Sequence, residues 1–102
     1  MVLENRYQFV NEAQIERKFK REVERRGGKA WKFTSPGMSG VPDRIVLLPG
    51  GRSIFVELKA PGEEPRPLQV KRAKELTELG FEVYCIDSFA AINKFVIEVF
   101  GK

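Results

Sequence analysis

Apolar and polar positions follow two different rhythms along this chain. From Asn11 to Arg26 the apolar residues Ile15, Phe19 and Val23 recur every fourth position, the spacing that gathers side chains on one face of an α-helix. Asn11 stands where an N-cap belongs, and Gly27-Gly28 where the helix must stop. Ala30–Thr34 then reads as a short strand, and Ser35-Pro36-Gly37-Met38-Ser39-Gly40 as a loop that cannot be regular structure. Between about Asp43 and Ala60, the apolar runs Ile45-Val46-Leu47-Leu48 and Ile54-Phe55-Val56 flank Pro49-Gly50-Gly51 and predict a β-hairpin. A loop from Pro61 to Pro67 leads into a helix from about Leu68 to Leu79, stopped by Gly80. The strand Phe81–Ile86 follows, and Asp87 or Ser88 caps a last helix with Phe89, Ile92, Val96 and Val99 on one face.

The resulting order, αβββαβα, predicts an α/β fold. Strand, helix and strand near the end predict a right-handed crossover that sets the Phe81 strand parallel to a hairpin strand. The apolar hairpin strands call for a mixed sheet with helices on both faces. There is no repeat and no low-complexity tract, and 102 residues are expected to form one domain, 1–102.

Folding the hairpin about Gly50 sets Asp43 roughly opposite Glu57. Side chains alternate along a strand, so Glu57 and Lys59 share one face while Val56 and Leu58 share the other. An acid between Val56 and Leu58 is costly to bury unless it is paired or binds a metal. Two structural alternatives stand beside the chemical one: Lys59 as a plain salt-bridge partner of Glu57, and Asp43 as a cap for the preceding loop. Two acids and one base nevertheless leave a carboxylate in want of a cation. Magnesium takes oxygen ligands, keeps several waters, and needs only one or two carboxylates; it activates water and neutralises charge on a phosphate. A lysine beside it can orient the water or contact the phosphate. Glu16, next to Ile15, borders the buried stripe of the first helix, and Glu12, one turn earlier, is its rival; either can be an ordinary surface acid. Gln69 aligns with Ala73 and Leu76, so its amide is expected to face inward, the alternative being a local hydrogen bond at the helix start.

Charge adds a candidate ligand. The net charge is +4 and the pI about 9.4, with Arg17, Lys18, Lys20, Arg21, Arg25, Arg26, Lys29 and Lys32 set against only Glu22 and Glu24 in one stretch. Such a field attracts polyanions, although a solvated helix face explains it as well. Arg17, Lys20 and Arg21, with Lys32, Ser35, Ser39 and Arg44, are the candidate phosphate contacts. The chain has no histidine, which excludes Ser-His-Asp chemistry, histidine-based ribonuclease chemistry, His-containing zinc sites and the HNH and HUH nucleases. Its one cysteine, Cys85, lies in a predicted strand and is expected to be a buried structural thiol, with no disulfide within the chain. The apolar runs are too short to span a membrane, and Met1–Arg6 contain no signal-peptide core. A cytoplasmic protein is expected.

Gly40-Val41-Pro42-Asp43-Arg44, Phe55-Val56-Glu57-Leu58-Lys59-Ala60-Pro61 and Pro67-Leu68-Gln69 resemble the VRR-NUC branch of the PD-(D/E)XK nuclease superfamily. Lys32-Phe33-Thr34-Ser35-Pro36-Gly37 and Leu79-Gly80-Phe81-Glu82-Val83 fit it too, so the resemblance runs from about Glu12 to Asp87. It implies the restriction-endonuclease-like αβββαβ core. It also implies that Asp43 and Glu57 hold Mg2+ or Mn2+ with the Leu58 backbone carbonyl, that Lys59 orients water and contacts the scissile phosphate, and that Gln69 supports the site. An acid from the first helix belongs to the same set. Its spacing to the helix-ending glycine in archaeal-type junction resolvases selects Glu16, relative to Gly27, over Glu12. The chain is similar to minimal phage and bacterial members, which implies a homodimeric, structure-selective endonuclease acting on branched DNA such as Holliday junctions, in a bacterial or phage-infected cytosol. The rival readings are a non-catalytic nucleic-acid-binding domain, which Trp31 and Phe33 would also suit, and a nicking or restriction-type nuclease without junction preference.

Overall fold

The apolar stripe Ile15, Phe19, Val23 forms helix α1, Glu12–Glu24, in a computed structural model that describes residues 10–101. Asn11 caps it: its side chain accepts from the Gln14 N–H, and the Gln14 side chain accepts from the Asn11 N–H, a reciprocal box that stabilises a helix start by about 1 kcal/mol. Then come strands β1 (Lys29–Lys32), β2 (Arg44–Leu47) and β3 (Ser53–Leu58), helix α2 (Pro67–Glu78), strand β4 (Glu82–Ile86) and helix α3 (Phe89–Phe100). Ser88, not Asp87, caps α3, its hydroxyl accepting from the Ala91 N–H. Met1–Arg6, which contain no signal-peptide core, lie outside the described residues. No helix among the described residues is long and apolar enough to cross a membrane.

The sheet order is β1-β2-β3-β4, antiparallel except for the parallel β3–β4 pair. That parallel pair is the crossover expected from strand, helix, strand. Alternation sorts the side chains of the sheet into two layers. Ala30, Val46, Ile54, Val56, Leu58 and Ile86 form one face and pack with Ile15, Phe19 and Val23 of α1 and Ile92, Phe95 and Val96 of α3 into the core. Phe95 is the core residue that the helix pattern missed; it meets Phe19 and Tyr84 with ring centroids 5.3 and 4.8 Å apart.

The opposite face is built differently. The register Trp31↔Ile45↔Phe55↔Val83 runs a row of apolar residues across all four strands. Phe33, Phe55 and Phe81 stack edge-to-face along it at 5.5 Å. Helix α2 packs over β4 at one end of this face, and Gln69 is its single buried residue. Helices thus lie on both faces, but the second layer is partial. Cys85 shows the consequence: it is exposed, because β4 is an edge strand and the crevice beside α2 leaves it open, so the expectation of a buried structural thiol is corrected.

The loop before β2 is tied to α2 at two points. Gly40, at φ +88°, lies so close to α2 that a Cβ there would stand 2.8 Å from the Leu68 carbonyl oxygen, closer than any side chain tolerates. Arg72 donates to the Ser39 carbonyl at 3.0 Å. Gly40 and Leu68 therefore fix where Asp43 and Gln69 stand relative to each other.

Candidate active site

Carrying the Arg44↔Val56 pairing one residue outward sets Asp43 opposite Glu57 on the α2 face. Asp43 follows the buried Pro42, and its Oδ2 accepts from the Leu58 N–H at 3.0 Å. In an antiparallel pair the N–H and C=O of a residue point to the same neighbouring strand, so the Leu58 carbonyl is directed to the Asp43 side as well. Glu57 is buried. Its Oε2 receives Gln69 Nε2 at 2.7 Å and stands 3.4 Å from Lys59 Nζ, while its Oε1 is buried with no hydrogen-bond partner. Burial and the neighbouring Asp43 carboxylate push the Glu57 carboxyl up to about 7, against the pull of Lys59. One cation does not balance these two acids.

Gln69 performs both of the roles open to it. Its Oε1 accepts from the Arg66 N–H at 2.8 Å at the start of α2, and its Nε2 holds Glu57. A helix end is thereby bolted to a strand by one amide, which sets the rotamer of Glu57.

Both acids of α1 stand near the site, in different surroundings. Glu16 is held by Arg44 Nη2 at 3.0 Å. Glu12 lies in the field of the site: burial raises its carboxyl, Asp43 and Glu16 raise it further, and Lys59 opposes them. Glu16 thus pairs with Arg44 while lining a hollow together with Asp43, and Glu12 feels the charge of Asp43 one turn earlier. Spacing could not separate them, because both are one helical turn apart on the side of α1 that overhangs the sheet.

Arg44 is the clearest departure among the candidate phosphate contacts. Alternation sends it to the face opposite Asp43, under α1, where it is 7% exposed and donates to the Ala30 carbonyl at 2.8 Å and to Glu16. It is a buried structural cation and is not presented to DNA. Lys32 is exposed, and it lines a shallow hollow with Glu16, Phe33, Thr34 and Asp43. Arg17, Lys20 and Arg21 are exposed on α1, where they line a shallow surface hollow with Glu24 and Arg25. Ser39 is exposed and Ser35 half-buried in the loop beside α2. A buried acid, Glu22, was not anticipated: it gathers Arg26 at 2.8 Å, Arg25 at 3.6 Å and Arg21 at 3.9 Å, and the Arg26 hydrogen bond lowers its carboxyl. Its place next to Val23 in the apolar stripe was the available signal.

No family sequence model matches the chain. A solved structure described as a VRR_NUC domain superposes with a TM-score of 0.79 at 32% identity, covering 87% of this chain and 96% of that one. The chain belongs to the VRR-NUC family. It is also 50% identical over 80 residues, 78% of this chain and 86% of the other, to a protein named "Putative nuclease p44" from Acyrthosiphon pisum secondary endosymbiont phage 1. The four-stranded mixed sheet with three helices is thus a VRR-NUC nuclease fold, and Asp43, Glu57, Lys59 and Gln69 converge at one end of its two central strands. Among the described residues no three acidic, histidine or cysteine side chains converge as a ready metal cluster. The oxygen atoms gathered there are the Asp43 and Glu57 carboxylates and the Leu58 carbonyl, with Glu12 and Glu16 at the margin.

Proposed function

We propose that this chain is a metal-dependent, structure-selective DNA endonuclease that works as a cytoplasmic homodimer on branched DNA, such as four-way junctions, with Mg2+ or Mn2+. The observation that carries the reading is the unpartnered, buried Oε1 of Glu57, in a carboxyl whose other oxygen is already held by Gln69 and Lys59. A buried acceptor left open costs about 1–3 kcal/mol, and a cation is the partner that also relieves the repulsion from Asp43. Asp43, Glu57 and the Leu58 carbonyl would hold such an ion, an all-oxygen set suited to magnesium or manganese. When bound, the ion supplies an activated water and neutralises charge on the phosphate.

The remaining tasks fall to the side chains. Gln69 keeps Glu57 in one rotamer. Lys59, anchored on Glu57 Oε2, presents its ammonium to the attacking water or to a phosphate oxygen. Arg17, Lys20 and Arg21 track phosphates by charge without reading bases, which supports recognition of shape over sequence. Two sites related by a twofold axis would incise two strands symmetrically.

The test is cleavage by the full chain of a four-way junction and of a duplex of the same sequence, with magnesium, manganese or chelator, alongside a solution mass. Junction cutting that needs metal, with paired incisions and a dimer mass, is expected. No cutting of either DNA at high protein concentration overturns the enzyme, and equal cutting of both removes the structure selectivity. In the same assay Glu12→Gln is expected to slow cutting at least about tenfold, as loss of a site-supporting carboxylate does. Glu16→Gln is expected to cost about 1 kcal/mol of stability through Arg44 and to change cutting less than threefold. The reverse ranking would return the role to Glu16.

A further inference from the structure

Trp31 is the one tryptophan of the chain, and it is 57% exposed on the edge strand β1. Exposing the largest apolar side chain on an edge strand forfeits burial that the core could have used. The register places Trp31 beside Ile45 and Phe55, and Phe33, two residues on, reaches the level of Asp43 and Glu57 on the same face. Two strand spacings and two residues separate Trp31 from Glu57, about 12 Å, or three to four base steps at about 3.4 Å each. Among the described residues the indole meets no other ring and no cation, although Phe33 and Phe55 beside it are in ring contact. Lys29, two residues away on the same face, is exposed beside it. An unoccupied aromatic plane beside an ammonium group, on the surface that carries the acids, is the composition of a nucleobase stacking platform.

We propose that Trp31 stacks an unpaired nucleobase a few nucleotides from the scissile phosphate, so that this site takes DNA carrying a single-stranded or junction-exposed base on the β1 side. Both faces of a base inside a duplex are already covered by its neighbours, and only an unpaired or terminal base offers a free face. The platform therefore distinguishes a tail, gap or junction from continuous duplex without reading sequence. Lys29 neutralises an adjoining phosphate. The inference takes DNA as the ligand from the nuclease reading, but it does not require that cutting occur.

The test uses the emission of Trp31, which has no competing tryptophan. Wild-type protein in chelator is titrated with a blunt hairpin duplex, with the same hairpin carrying a short single-stranded tail, and with that tail made abasic. Quenching by the tailed DNA alone is expected. Trp31→Ala is expected to weaken binding of the tailed DNA roughly tenfold, Trp31→Phe to restore most of it, and binding of the blunt hairpin to change less than twofold. Binding of tailed DNA without quenching, equal loss on blunt and tailed DNA, or no DNA binding would each overturn the proposal. So would an emission shift that follows protein concentration without DNA, which would place Trp31 between copies of the chain. Metal is then added to the same mixtures: quenching without cutting leaves the platform standing while the endonuclease falls, and cutting without quenching does the opposite.

Discussion

Replacing Glu57 by glutamine should reduce cleavage about a thousandfold or more while leaving DNA binding in chelator within a few-fold of wild type. The effect is large because the carboxylate is the strongest candidate ligand of the site, and metal-supplied charge stabilisation amounts to several kcal/mol, each 1.36 kcal/mol being a factor of ten. The amide keeps the volume of the acid and can still accept from Gln69, so the fold is retained. Thermal unfolding provides a second readout. With Glu57 raised to about 7 in the folded chain, against an ordinary value of 4.5, the stability that its protonated form contributes is full below about 4.5. It is lost as pH rises through about 7. In chelator, wild type and Glu57→Gln should therefore unfold alike at pH 5, and the variant should be the more stable at pH 8. Millimolar magnesium should raise the unfolding temperature of wild type at pH 8 and leave that of the variant unchanged. Wild-type cleavage by Glu57→Gln would remove the proposed centre altogether.

Arg44→Met should destabilise the protein by about 3 kcal/mol in denaturant unfolding, the cost of breaking one side of a buried ion pair. Methionine fills much of the stem's volume but leaves the Ala30 carbonyl and the Glu16 carboxylate without their donor. The guanidinium is held by two bonds and is buried, so its unpartnered Nε is out of a phosphate's reach. The salt dependence of DNA binding should therefore keep the wild-type slope, since no phosphate contact is removed. A stable variant with a shallower salt slope would put Arg44 back among the DNA contacts. Double replacement with Glu16→Gln should cost less than the sum of the two single changes, because one partner is missing already.

Much of the site was legible in the sequence because a hairpin has a simple geometry. Pro49-Gly50-Gly51 places the turn and the period of two sets the faces, which brings Asp43 roughly opposite Glu57; the pairing in the structure then sets the register. Gln69 was legible from its alignment with Ala73 and Leu76 on α2. Contacts between elements distant in the chain were not legible. The Arg44–Glu16 bond spans two elements whose relative rotation depends on how α1 seats on the sheet. Cys85 looked buried because its strand is apolar, yet strand composition cannot say whether a helix covers the edge.

Local sequence determined the element order, the place of the hairpin turn, the Asn11 cap and the approximate facing of Asp43 and Glu57, because each depends on residues within one hairpin or one helical turn. Only the tertiary structure decided which faces were covered. It buried Arg44 and Glu22, left Cys85 and Trp31 open, and held Oε2 of Glu57 while leaving Oε1 without a partner. The physical reason is that burial is a property of packed layers: a side chain's period fixes the direction it points, and only the neighbouring element decides whether anything meets it there.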